Sequence, residues 1–178
     1  EVMRAAVAAG AGLINDVRAL REPGALSAAV ELDIPVCLMH MQGEPRAMQN
    51  DPHYGDVVSE VRAFLLERVG YCESAGMDRD QMLIDPGFGF GKTLEHNLQL
   101  LRGLGEFVDT GLPVLVGMSR KSMIGALTDR PVDQRVSGSV AAATVAVRKG
   151  ASVSRVHEVA ATADAVRVAE AIKGQERS

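Results

Sequence analysis

Five short apolar runs of the chain each end in polar residues with candidate chemical roles, and the last two runs end in basic groups. These polar residues are Asn15, His40, Asp85, Ser119, Arg120, Lys121, Arg155 and His157. Amide and carboxylate groups form paired hydrogen bonds, and Arg and Lys bind phosphate oxygens. If the five run ends converge on one rim, they form one site, and the basic groups of its last two runs suit a phosphate.

A glycine-rich segment, Asp-Pro-Gly-Phe-Gly-Phe-Gly-Lys at residues 85–92, follows the third apolar run. It is not a P-loop, because Pro86 stands where that motif needs glycine, and Lys92 likewise breaks the dinucleotide-binding fingerprint. Three glycines allow a tight turn that brings backbone close to a ligand. Phe88 and Phe90 could then form walls around a flat ring. The alternative is an ordinary glycine-rich turn.

Each polar residue also has a structural interpretation. Asn15 could tie down a loop, Asp85 could cap a turn, and His40 could be a hydrogen-bonded core histidine. Arg120, Lys121 and Arg155 could be solvated surface charges. We expect His53 and His96 to be structural.

The apolar periodicity predicts strands that alternate with amphipathic helices after a leading helical segment. We expect strands in residues 13–17, 35–40, 82–85, 113–118 and 153–159, and helices in residues 23–32, 57–72, 98–108, 135–149 and 162–173. Apolar runs without alternation indicate parallel strands buried on both faces. Either an open doubly wound sheet or part of a (β/α)8 barrel fits this order. A complete barrel needs about 250 residues, so 178 residues would supply about the last five βα units.

Composition excludes several classes of protein. The net charge of −4 gives no basic field for nucleic acid. No apolar run reaches the length of a membrane span, and we expect no signal peptide. Cys37 and Cys72 lack metal-binding or redox spacing, so we expect buried free thiols. We therefore expect one cytoplasmic domain over residues 1–178, which begins inside a helix and is a fragment of a longer protein.

The motifs together resemble dihydropteroate synthase of the folate pathway. They are Leu-Ile-Asn15-Asp-Val-Arg, Met39-His-Met-Gln-Gly, the segment 85–92, Gly117-Met-Ser-Arg-Lys-Ser122 and Arg155-Val-His157. The resemblance spans the chain in order, and segments 85–92 and 117–122 are the most specific parts of it.

The resemblance implies a (β/α)8 TIM barrel, present here as an incomplete barrel. It also implies the condensation of hydroxymethyl-dihydropterin pyrophosphate with p-aminobenzoate, with Mg²⁺ assistance. The resemblance implies that the pterin is bound by Asn15, Met39, Asp85 and Lys121, and that Asp85 and Lys121 are catalytic. It implies that p-aminobenzoate is bound by Phe90, Ser119 and Arg120. It also implies that pyrophosphate is bound by Arg155 and His157. A metal ligand is expected upstream of the chain rather than within it. Sulfonamide sensitivity and a homodimer through the late helices are further implications.

Two positions depart from the family pattern. Ser154 stands where an apolar residue is expected, and Glu158 replaces the more usual Asp. Two other functions stay open. The first is a pterin-binding methyltransferase, which has no need for a pyrophosphate clamp. The second is an inactive half-barrel, whose unpaired strand edges favour aggregation.

Overall fold

The computed structural model describes residues 1–43, 48 and 51–175, with only the backbone described for residues 173–175. Five short strands alternate with eight helices in this part of the chain. The strands are β1 (Ile14–Asp16), β2 (Val36–Met39), β3 (Met82–Asp85), β4 (Leu115–Val116) and β5 (Val153–Ser154). The helices are α1 (Val2–Ala8), α2 (Ala25–Leu32), α3 (Val57–Ser74), α4 (Leu94–Arg102), α5 (Leu104–Val108), α6 (Ser122–Thr128), α7 (Val136–Arg148) and α8 (Val159–Gln175).

The strands are parallel and lie side by side in the order of the chain. Strands β1, β2 and β3 form a three-stranded sheet, and β4 and β5 form a two-stranded sheet. A parallel bridge between Ile84 and Val114 joins the two sheets. An open doubly wound sheet reverses its strand order at a switch point, whereas a barrel adds each strand beside the last. The order therefore supports the second of the two architectures, and an incomplete (β/α)8 barrel is confirmed by the solved structures described below.

The helix-facing side of the sheet holds the hydrophobic core. Val36, Leu38, Met82 and Ile84 alternate along β2 and β3 and are fully buried. Burying one such side chain contributes roughly 1.5–3 kcal/mol. The intervening residues of these strands turn to the opposite face, because successive side chains in a strand alternate. That opposite face carries Cys37, Met39 and Asp85, and it leads to the candidate site.

Side-chain caps fix where the helices beside the site begin. Asp56 accepts hydrogen bonds from the amides of Val58 and Ser59 and begins α3. Thr93 and His96 form a reciprocal capping box at the start of α4, and this explains His96 as a structural residue. The α4 cap sets the direction in which the chain leaves the glycine-rich segment.

Several predicted boundaries were wrong. Strands expected over 113–118 and 153–159 are two residues each, because the chain leaves the sheet at Gly117 and Arg155 to form the site, and α8 already begins at Val159. The helix expected over 98–108 is two helices, α4 and α5. They meet at Gly103, where a Cβ would lie 3.0 Å from Val58. Helix α6 was not expected.

The two cysteines are buried free thiols, as expected. Burial is the main cause that raises the pKa of Cys37, and the carboxyl of Asp85 adds to it. Within the described ranges, no helix combines the length and the apolar character that a membrane span requires.

The hydroxyl of Ser154 is a buried polar group without a hydrogen bond to the described residues. Its Oγ is buried and has no hydrogen-bond partner among the described residues. The position therefore buries a polar atom where the family resemblance implies an apolar residue.

Candidate ligand-binding site

Met39 and Asp85 are opposite each other at the carboxyl ends of β2 and β3. Only 5% of Asp85 is exposed, and its Oδ1 accepts a hydrogen bond of 2.7 Å from the amide of Gly87. Burial raises the pKa of Asp85, against the opposing effects of the Gly87 amide and of nearby lysine and arginine charges. A buried carboxyl at this edge suits the paired donors of an aminopyrimidine ring.

The glycine-rich segment packs directly on the residues that follow β2. Gly87 has φ of +71°, and a Cβ there would lie 1.8 Å from the carbonyl oxygen of His40. At Gly91 a Cβ would lie 2.4 Å from the carbonyl oxygen of Gln42. Only glycine fits these positions, so the turn lies close against β2 and forms the floor of the site.

The two phenylalanines of the segment have different places. Phe88 is fully buried in the core, so the prediction that it forms a wall of the site was wrong. Phe90 is partly exposed, and the Nζ of Lys121 lies 4.5 Å from its ring centre. Phe90 alone is therefore available to contact a ring beside the lysine.

Lys92 holds the glycine-rich segment in place through hydrogen bonds. Its Nζ donates to the carbonyl oxygens of Gly87 and Phe90 and lies 3.0 Å from Nδ1 of His40. Burial lowers the pKa of Lys92 to about 7 and that of His40 to about 3. His40 is thus neutral and buried, in line with its structural interpretation. Sequence reasoning assigned no role to Lys92, although its place at the end of the glycine-rich segment was a signal.

Lys121 and Arg155 bring positive charge to the same edge. The Nζ of Lys121 donates to the carbonyl oxygen of Phe88 over 2.5 Å, and burial lowers the pKa of Lys121 to about 8. A Cβ on Gly117 would lie 3.6 Å from Nε of Arg155, so the small residue leaves space for that arginine. Arg155 itself is exposed.

A second group of contacts joins the ends of β4 and β5. The Oγ of Ser119 lies 2.9 Å from Nδ1 of His157 and 3.4 Å from Oε2 of Glu158. Arg120 donates to the same carboxylate through Nε, over 2.6 Å, and through Nη2. The hydrogen bond from Arg120 is the main cause that lowers the pKa of Glu158. Sequence analysis noted Glu158 only as a departure from the family pattern.

A cavity of about 460 Å³ lies over this group. Its polar lining consists of Ser119, Arg120, Lys121, Arg155 and His157. The structure therefore brings together Ser119 and Arg120, which were predicted to bind p-aminobenzoate, with Arg155 and His157, which were predicted to bind pyrophosphate. Lys121 connects this group to Asp85 and Phe90. This arrangement can bind a ring at Asp85 and an anion in the cavity.

Asn15 lies farther from this centre than expected. It is exposed in β1 and is in register with Cys37, two residues before Met39. Alternation puts Asn15 on the same face as Met39 and Asp85. It shares the face of the site and stands two strands away from Asp85.

The family model described as "Pterin binding enzyme" matches residues 1–157. The dihydropteroate synthase of Haemophilus influenzae is 57% identical over 170 residues, which are 96% of this chain and 62% of the relative. That of Escherichia coli is 53% identical over 171 residues, 96% of this chain and 61% of the relative. The chain thus spans about three fifths of the length of these relatives.

Solved structures have the same fold. A Yersinia pestis dihydropteroate synthase in complex with a sulfonamide drug has a TM-score of 0.93 at 50% identity, over 95% of this chain and 62% of that one. A Xanthomonas albilineans dihydropteroate synthase in complex with 7,8-dihydropteroate has a TM-score of 0.91 at 55% identity, over 97% and 63%. A family match over most of the residues, together with this shared fold, shows that the chain belongs to the pterin-binding enzymes.

Proposed function

We propose that this chain provides the carboxyl-terminal part of a dihydropteroate synthase of folate biosynthesis. The observation that carries the proposal is the grouping of a buried carboxyl, Asp85, with Lys121 and the cation-lined cavity at one end of the strands. A related structure from Xanthomonas albilineans contains 7,8-dihydropteroate, the product of this reaction.

In the proposed complex the pterin lies against the carboxyl ends of β2 and β3. Oδ1 of Asp85 already accepts from the Gly87 amide, so Oδ2 is the oxygen offered to the ring donors. Met39 packs on the ring, Lys121 donates to it, and Asn15 contacts it from β1. Exclusion of water by the buried floor strengthens each of these hydrogen bonds.

The second substrate, p-aminobenzoate, lies between Phe90, Ser119 and Arg120. Arg155 and His157 bind the pyrophosphate group, and Lys121 lies between the two subsites. Another Xanthomonas albilineans dihydropteroate synthase structure, which is 56% identical to this chain, contains 4-aminobenzoic acid. The sulfonamide in the Yersinia pestis relative supports sulfonamide sensitivity of the whole enzyme.

The reaction then needs no covalent intermediate on the protein. The bond between the pterin methylene carbon and the pyrophosphate oxygen breaks, and the leaving group takes the electron pair. The amine of p-aminobenzoate attacks that carbon and loses a proton. Positive side chains around the cavity stabilise the charge that develops on pyrophosphate, which lowers the barrier.

Mg²⁺ is the cofactor that the resemblance implies, and the described residues do not fit it on their own. Within the described ranges, no group of three or more His, Cys, Asp or Glu side chains is arranged to hold a metal ion. We propose that the protein is cytoplasmic. We also propose that it forms a homodimer when full length, and the exposed apolar side chains of Val145, Val168 and Ile172 on α7 and α8 support this.

A chimera tests the proposed activity. Residues 1–178 replace the matching part of the Haemophilus influenzae synthase, and dihydropteroate is measured by chromatography. We expect turnover, with a loss of at least about 100-fold in kcat/KM for Lys121→Met. A folded chimera without turnover contradicts the proposal. Methyl transfer from a methylated folate to a corrinoid would instead support the alternative enzyme class.

A further inference from the structure

One carboxylate stands among the cations of the cavity. Arg120, Ser119 and His157 line the cavity, and Glu158 contacts the first two of these side chains. Glu158 lies directly before α8, and its carbonyl oxygen accepts from the amide of Thr162 in the first turn. Its side chain is 15% exposed, so solvent screens the pair only in part. The carboxylate therefore reaches the cavity wall from a fixed backbone.

The backbone of Arg120 is also fixed. Its φ is +59°, its amide donates to Oγ of Ser139, and its carbonyl oxygen accepts from Nη1 of Arg135. Only the side chain of Arg120 is free to take another direction. Because Glu158 accepts from both Nε and Nη2, it decides that direction.

We propose that Glu158 is a positioning residue that holds Arg120 against the cavity wall and limits how tightly the cavity binds pyrophosphate. The inference rests on the proposed function, in which pyrophosphate is the leaving group. One carboxylate oxygen, Oε1 of Glu158, accepts from both Nε and Nη2 of Arg120, and it occupies planar donors that a phosphate group would otherwise take. It also cancels one of the positive charges that face the anion, so the product leaves more readily.

Removal of this charge at constant shape provides the test. In Glu158→Gln, Arg120 is released and the cavity gains one positive charge. We expect inorganic pyrophosphate to bind about five-fold tighter, with a steeper dependence on salt, as charge-assisted contacts are gained. Glu158→Asp keeps the carboxylate and is expected to bind as the unchanged chain does. Titration calorimetry on the full chain measures these affinities, and circular dichroism checks that each variant is folded.

Two further variants separate positioning from a general effect of charge. Glu73→Gln removes an equal charge from an arginine ion pair with Arg79, near the opposite end of β3, and is expected to leave pyrophosphate affinity unchanged. In an Arg120→Gln background, Glu158→Gln still removes one negative charge but has no guanidinium to release, so its effect on affinity is expected to differ from that in the unchanged chain, and the difference measures the positioning of Arg120.

The same titrations are repeated in the Haemophilus influenzae chimera, so that a chain that does not fold alone still yields a result. Equal or weaker pyrophosphate binding by Glu158→Gln overturns the inference, and so does the absence of binding in both proteins. The synthesis assay of the chimera decides the proposed function separately. If the chimera turns over normally and Glu158→Gln leaves its pyrophosphate affinity unchanged, the proposed function stands and only the role of Glu158 is refuted.

Discussion

Lys121 is the residue whose protonation we expect to control anion binding. Burial lowers its pKa to about 8, so the ammonium is present below pH 8 and is lost as the pH rises through that value. Sulfate stays fully ionised over this range and serves as the probe. We expect its affinity to fall about five-fold across pH 8, as one charged donor is lost. Calorimetric titrations at several pH values measure this, and in Lys121→Met the step should be absent. A step that persists in this variant contradicts the assignment.

Ser154 is the residue at which we expect a gain in stability. Its buried Oγ has no hydrogen-bond partner among the described residues, so no hydrogen bond offsets the free-energy cost of desolvating the hydroxyl. Ser154→Val is expected to raise the free energy of unfolding by about 1 kcal/mol, measured from the midpoint of urea unfolding. The exposed Ser152→Val serves as the control, with no gain expected. A lower midpoint for Ser154→Val would mean that the site cannot accept the added methyl groups.

The turn between β3 and α4 is the element on which the site depends most. A Cβ at Gly87 would lie 1.8 Å from the carbonyl oxygen of His40, and φ there is +71°. Gly87→Ala must therefore displace the floor of the site, at a cost of about 3 kcal/mol or more. Gly70→Ala, inside α3 with nothing within 4 Å of the new Cβ, is expected to stabilise by about 1 kcal/mol. Urea unfolding compares the two variants, and equal effects would contradict this account.

The elements also show what the sequence can predict. Apolar runs located β2 and β3 well, because both are buried on the helix side by residues such as Leu38 and Ile84. The last strands were overestimated, because apolar runs continue past Val116 and Ser154 into segments that leave the sheet. The candidate site residues were found through their positions at strand ends. The partnerships of Lys92 and Glu158 could not be predicted, since they join residues 52 and 38 positions apart.

At the scale of the whole molecule, the two outer strands are the weak point. In the part of the chain that the structure describes, β1 pairs only with β2, and β5 only with β4. Unpaired amide and carbonyl groups at strand edges favour association with other chains. Apolar side chains near these edges, Leu13, Val17 and Val153, are about 40% exposed and add to that tendency.

We therefore expect residues 1–178 alone to self-associate and to show little turnover. The Haemophilus influenzae chimera supplies strands that can pair with β1 and β5, so it should be a defined small oligomer at the same concentration. Sedimentation velocity compares the two proteins, and urea unfolding tests whether each loses structure in one cooperative step. Closure of the barrel also matters for the chemistry, because Asn15 is exposed in β1 and gains a second neighbouring strand only when the sheet continues. A chain that is monomeric, unfolds cooperatively and catalyses synthesis without further strands would refute this prediction, and it would mean that the five strands form a sufficient site.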